Sequence, residues 1–180
     1  MYTFIEIGSC DFNTLNHFPE LGEWTGVIVD PIKKYLDKIP RVAGVQYINV
    51  AITEQNGKAK MFVFKDVVVD KDKDYAGMST LHPLETNIER GLYEEVEVDT
   101  ITYDTLLERC NINRVDYLKI DTEGHDFEIL KQINYESNTR PRLIKVEHKH
   151  LDHNAMSDFL ISKGYSIDIQ LDDIFAISLK

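Results

Sequence analysis

The chain has 180 residues, 43% hydrophobic and 28% charged, with a formal net charge of −11. This is the composition of one globular domain spanning 1–180, long enough to bury a core, and it excludes a disordered polymer. No run of about 18 apolar residues predicts a membrane span, and the acidity disfavours phosphate backbones and anionic membranes, so neither nucleic acid nor membrane is an expected partner.

The chain opens with "MYTFIEIG", which lacks the basic n-region and cleavage site of a secretory signal. Cys10 and Cys110 form no CxxC pair and fit a reducing compartment, so the expected address is the cytoplasm. "YTFIEIG" (2–8) is an apolar run ending at a glycine and predicts a buried strand. A short helix is expected within 11–21. "WTGVIVD" (24–30) predicts a second buried strand. Asp30 then stands as an N-cap with Pro31 at the first helical position, and Ile32, Tyr35, Leu36 and Ile39 recur at helical spacing before Pro40 closes the segment.

"VQYINVAI" (45–52) predicts a third strand, extended as a hairpin through the Asn56-Gly57 turn into a strand ending near Phe64. Residues 65–92 mix charge, Gly and Pro without periodicity and read as a long surface excursion of the kind that covers a substrate. "EEVEVDTI" (94–101) alternates as a strand. Tyr103, Leu106, Leu107 and Cys110 mark one helical face, which makes Cys110 a core residue. A strand over 115–121 leads into a helix from about 124, and "RLIKVEH" (142–148) forms the next strand. Asn154 is a cap for a helix carrying Met156, Phe159 and Leu160, stopped by Gly164. "YSIDIQ", an Asp-Asp turn and "IFAISLK" form a closing hairpin. Alternating strands and helices predict an α/β fold: a Rossmann-like, mostly parallel sheet with helices on both faces and an antiparallel C-terminal hairpin.

In such sheets ligands bind at the carboxyl ends of the strands. Gly8 permits a tight turn close to a ligand, and Asp30, twenty-two residues later, is placed to accept hydrogen bonds from ribose hydroxyls. Asn49 to Ala51 end the third strand where a base would lie. Neither GxGxxG nor GxxxxGK[ST] is present, so a phosphate-free adenosine ligand is expected. S-adenosylmethionine fits: its sulfonium cation suits the acidic strand ends Glu6, Asp11, Asp121 and Glu123. The terminal hairpin also matches the seven-stranded methyltransferase sheet.

"VDYLKIDTEGHDFEILK" resembles the signature block of the FkbM-type methyltransferases. "FIEIGSCD" as the cofactor turn, "GVIVDP", "INVAI", "MSTL" and "RLIKVEHK" follow in that family's order over nearly the whole chain. Gly8-Ser9-Cys10-Asp11-Phe12 stands where the family often has Gly-Ala-Asn-x-Gly. The resemblance implies methyl transfer from S-adenosylmethionine, commonly to a hydroxyl of a sugar or secondary metabolite. The strand-end reading and the resemblance together place the cofactor against Glu6, Gly8, Ser9, Asp11, Asp30, Pro31, Asn49, Ala51 and Asp121.

An alcohol acceptor must lose its proton, and a carboxylate or histidine is the usual base. Asp121, Glu123, His125, Glu147 and His148 converge at one edge if the strand order is as expected. Asp121 and Glu123 are then central, and His125 or His148 is the candidate base. The same cluster could bind a divalent metal, but no HxxxH or DxD spacing falls within it, so none is expected there. Lys119, a lysine inside a buried strand, needs a counter-ion; Glu6 is its predicted partner and Glu147 the alternative. Tyr75, Met78, Ser79 and His82 are candidates to cover a small-molecule or sugar acceptor. Two other functions compete with this reading: a non-catalytic scaffold on the same fold, and a nicotinamide-dependent oxidoreductase, against which the missing glycine fingerprint counts.

Overall fold

The computed structural model describes residues 1–72, 75 and 77–180. Its frame is a seven-stranded sheet built from β1 (Tyr2–Ile7), β2 (Trp24–Val29), β3 (Val45–Ile48), β7 (Tyr117–Ile120), β8 (Leu143–Glu147), β9 (Tyr165–Gln170) and β10 (Asp173–Ser178). The spatial order is β3-β2-β1-β7-β8-β10-β9. β10 pairs antiparallel with both of its neighbours, and the remaining pairs are parallel. The predicted sheet and its closing hairpin are therefore present. Strand order reverses between β1 and β7, which opens a crevice at their carboxyl ends.

Burial on both faces explains the continuous apolar runs. On one face Ile5, Ile7, Val27, Val29, Leu118, Ile120, Ile144 and Val146 join a single buried cluster. The helices α4 (Tyr103–Arg109), α5 (Asp126–Gln132) and α6 (His153–Ser162) complete it with Leu106, Leu107, Cys110, Ile129, Leu130, Met156 and Leu160. Cys110 is thus the core residue its spacing predicted. On the other face Phe4 and Ile28 pack with Leu15, Leu36 and Ile39, and Phe18 and Trp24 lie against them. Among the described residues no helix is long and apolar enough to cross a membrane.

Four expectations are corrected. The third strand is two: β3 ends at Ile48, and β4 (Ala51–Ile52) leaves for a second, three-stranded sheet in which β6 (Tyr93–Ile101) lies between β4 and β5 (Gly57–Phe64). Asn49 sits at the parting, its side-chain amide donating to the Asp30 carbonyl at 2.9 Å. The expected hairpin with 57–64 does not form. β6 (Tyr93–Ile101) inserts instead, parallel to β4 and antiparallel to β5 (Gly57–Phe64), because its longer ladder satisfies more backbone groups. The helix after Pro31 is one turn, α1 (Lys33–Leu36), with Ile32 rather than Asp30 at the N-cap position and no side-chain cap, although Ile32, Tyr35, Leu36 and Ile39 are buried as expected. The cap of α6 is Asp152, which accepts from the backbone N–H groups of Asn154 and Ala155 at 3.0 and 3.1 Å.

The 11–21 segment holds only a 3-10 turn at Phe18–Leu21. Within the 65–92 excursion the chain forms α2 (Asp66–Val69) and α3 (Glu85–Glu89), and an antiparallel bridge joins Thr80 to Phe62 of β5.

Candidate active site

The carboxyl ends of β1, β2, β7 and β8 surround a cleft of about 810 Å³. Gly8, Cys10, Asp30, Pro31, Ala51, Asp121, Glu123, His125 and Glu147 all line it, together with Tyr35, Val50, Ile52 and Met61.

Gly8 turns the chain with φ +80, and a Cβ there would lie 1.7 Å from the Asp121 carbonyl oxygen. The ends of β1 and β7 can meet this closely only at a glycine. The turn that follows is held by Asp30. One carboxylate oxygen accepts from the Cys10 backbone N–H at 2.7 Å and the other from the Ile32 N–H at 2.8 Å. Burial pushes the Asp30 carboxyl up to about 7, although those two N–H bonds work against the rise. Each oxygen keeps a further lone pair. The Cys10 thiol is pushed up to about 12 by burial and is inert as a nucleophile.

Lys119 finds the partner its sequence position demanded. Its ammonium lies 3.0 Å from Glu6, directly across the β1–β7 pairing, and 3.6 Å from Asp121. Burial alone would lower the Lys119 pKa, but Glu6 and Asp121 outweigh it and raise it. Thr14 donates to the same Glu6 oxygen. Glu6 is fully buried and does not line the cleft.

The turn after β7 carries the densest chemistry. Asp126, nearly fully buried, accepts from the backbone N–H groups of Thr122 and Gly124 at 2.9 and 3.0 Å. This clamp holds Glu123 at φ +54, a left-handed conformation that costs a non-glycine residue about 1–3 kcal/mol. The result brings Asp121, Glu123 and Glu147 together, one oxygen of each within 4.8 Å of the others. Burial first, then repulsion from Asp121, raises the Glu123 carboxyl to about 7. Burial, with Asp121 and Glu123 adding to it, raises Glu147 to about 8. His150 approaches Glu123 at 3.3 Å, without hydrogen-bond geometry.

His125 is buried, and burial lowers its pKa, so the ring is neutral near pH 7. Its Nδ1 lies 2.9 Å from His82 Nε2, with the two rings stacked, and its Nε2 lies 3.3 Å from a Glu54 oxygen. Thr80 donates to the Glu123 carbonyl at 2.7 Å. These contacts fasten residues 77–82 across the cleft as a strap. Gly77, Ser79 and Leu81 face the cleft, whereas Met78, Thr80 and His82 face a second groove on the other side, the two-residue alternation of extended chain. Tyr75 packs against Phe64, ring centroids 4.6 Å apart and tilted, instead of lining either space.

Four of the residues picked for cofactor or catalysis lie outside the cleft lining besides Glu6. Ser9 is buried and bonded to the Cys10 carbonyl, Asp11 pairs with Lys38 at 2.9 Å, and Asn49 braces the Asp30 backbone. His148 lies 5.4 Å from His153. Sequence reading passed over Met61, Leu81 and Glu54, which come from β5, the strap and the β4–β5 turn. No local motif marks them, because their place depends on long-range pairing.

A seven-stranded sheet with one reversed strand, and a cleft at the β1–β7 switch, define the methyltransferase class of cofactor-binding α/β folds. The model of the methyltransferase FkbM domain matches residues 6–167, and the chain belongs to that family. No curated protein matches the chain. A precorrin-6y C5,15-methyltransferase from Geobacter metallireducens GS-15 is similar with TM-score 0.48 and 10% identity, over 98% of this chain and 78% of that one. A fibrillarin/Nop5p complex gives TM-score 0.48 and 13% identity, over 97% of this chain and 70% of that one. The delta-N METTL16 methyltransferase domain gives 0.45 and 13%, over 99% and 73%.

Proposed function

We propose that the protein is an S-adenosylmethionine-dependent O-methyltransferase acting on a hydroxyl of a sugar or small metabolite. The observation that carries this reading is the trio Asp121, Glu123 and Glu147, three crowded carboxylates at the carboxyl ends of β7 and β8, of which Asp121 alone among the three has a buried lysine, Lys119, at 3.6 Å. A cationic ligand relieves that crowding, and a neutral one does not.

The residues present fit the cofactor. Val50, Ala51, Ile52 and Met61 give an apolar wall suited to adenine, Asp30 retains acceptor capacity for ribose hydroxyls, and the three acids suit a positive sulfur. Bound there, S-adenosylmethionine supplies a methyl group on a cationic sulfur that departs as a neutral thioether. Asp121 faces the positive charge, and a cation bound there draws the Glu147 carboxyl, raised to about 8 by burial and its acidic neighbours, toward its charged form. Glu123, with a pKa near neutrality, takes the acceptor's hydroxyl proton as the oxygen–carbon bond forms. His125, neutral and bonded to His82, holds the strap against the turn that carries Glu123.

Calorimetric titration with S-adenosylmethionine, S-adenosylhomocysteine and NAD tests the reading, together with mass spectrometry of the purified protein for carried cofactor. Binding of the first two and not of NAD is expected. Heat with NAD alone sinks the proposal, and cofactor binding without turnover across a panel of hydroxylated metabolites favours a scaffold.

A further inference from the structure

We infer that the chain forms a homodimer by pairing the edge strand β9 with β9 of a second copy, antiparallel and about a two-fold axis at Ile167. The inference goes beyond the methyl-transfer reading and does not depend on it.

β9 is the longer of the two edges of the seven-stranded sheet, six residues against four in β3. A long open edge is a template for another strand, and proteins blunt such edges with proline, lysine or a bulge. "YSIDIQ" holds no proline or lysine, and all six residues stay in unbroken register with β10. The Leu179 N–H donates to the Gly164 carbonyl at 3.1 Å, which sets the phase of that ladder. Ser166, Asp168 and Gln170 therefore turn their backbone groups toward β10, and Tyr165, Ile167 and Ile169 turn theirs outward. Apolar surface gathers beside this edge: Ile161 is 55% exposed, Ile169 46% and Leu171 96%.

The edge is complementary to itself. An axis at Ile167 pairs Ile167 with its own copy, Tyr165 with Ile169 of the second copy, and Asp168 with Ser166 of the second copy. Ile169 of one copy then lies at the start of β9 in the other, near Ile161 in the last turn of α6. Lys163, above the Tyr135 and Phe159 rings, has no carboxylate partner among the described residues, and Asp172 has no cation. The same pairing brings each Lys163 alongside the Leu171–Asp172 turn of the other copy. Moving the axis to Asp168 would set that carboxylate against its own copy, and like charges directly opposite are destabilising. Moving it to Ser166 would leave Ile169 facing Lys163, before the strand begins. Charge and apolar surface thus select a second copy of the chain and one register.

Sedimentation equilibrium of the full chain is the test, and a species of twice the chain mass is expected. Ser166→Asp places two like-charge pairs across the axis and is expected to weaken the dimer about tenfold. Adding Asp168→Lys turns both into opposite-charge pairs and is expected to restore it. Ile169→Lys removes the apolar contact with Tyr165 and Ile161 and is expected to weaken the dimer by at least about tenfold. Ser166, Asp168 and Ile169 are all exposed, so the variants are expected to fold, and the melting temperature of each checks this. The inference is overturned if the chain sediments as a monomer at about 100 μM, if a dimer survives Ser166→Asp and Ile169→Lys unchanged, or if Asp168→Lys fails to rescue Ser166→Asp.

Discussion

At the ends of β1 and β2, buried acids meet donors supplied by the fold. Glu6 has Lys119 and Thr14, and Asp30 has two backbone N–H groups. At the ends of β7 and β8, Asp121 has Lys119 at 3.6 Å, but Glu123 and Glu147 chiefly meet Asp121 and each other, with Lys149 the main cation acting on them. Asp30 and Glu123 are both raised to about 7, so the shift alone does not distinguish them. The partners do. A buried acid bonded to backbone amides holds a turn in shape, whereas acids crowded against acids are set for a charge from outside.

The largest effect expected from breaking this contrast is at Lys119. Lys119→Met leaves Glu6 buried without its cation and is expected to cost about 3–5 kcal/mol in urea unfolding. Adding Glu6→Gln is expected to restore much of that loss. A loss for the single variant below about 1 kcal/mol means the pair is not the counter-ion that the geometry indicates. Next is Gly8→Ala, which adds a Cβ against the Asp121 carbonyl at positive φ; a loss of about 2–4 kcal/mol is expected in the same measurement. Asp30→Asn keeps the shape but replaces one acceptor oxygen with a donor. A stability loss of about 1–3 kcal/mol is expected, with roughly tenfold weaker S-adenosylhomocysteine binding by calorimetry.

The smallest effects sharpen the contrast through pH. The Glu147 carboxyl rises from 4.5 to about 8 in the folded protein. Between those values the native state binds more protons than the unfolded one, so stability falls as pH rises through the window. Glu147→Gln removes that contribution and is expected to flatten the decline, read as melting temperature against pH. The same ionisation favours a cation. S-adenosylmethionine is expected to gain affinity relative to S-adenosylhomocysteine between about pH 6 and about pH 9, and equal pH profiles would show that the three acids do not meet the sulfur.

Much of this was legible before the fold was known. The strands declare themselves as apolar runs, and parallel pairing makes Glu6 the partner of Lys119, since the two strands on either side of the switch lie adjacent. The split at Asn49 was hidden because "VQYINVAI" reads as one run, and its division is decided by β6, more than forty residues later in the chain. Preference for Asn154 over Asp152 as the α6 cap was a local ambiguity, both residues being good caps within two positions. Asp126 looked like one more acid at the seam; only its bonds to Thr122 and Gly124 show that it shapes the turn on which Glu123 stands. The strap was marked as cover, but its alternation between two spaces depends on the bridge to Phe62.

The Lys119–Glu6 pair has a consequence for how the chain finds its register. Side chains in a strand alternate between faces, so a slip of one residue between β1 and β7 turns Lys119 toward Ile5, Ile7 and Ile129. There it would meet an apolar wall, while Glu6 lost its cation. The pair costs desolvation in the correct sheet and costs far more in a shifted one. A charge placed at the centre of the sheet thus acts as an alignment key, admitting one pairing of its two middle strands and penalising the neighbouring ones.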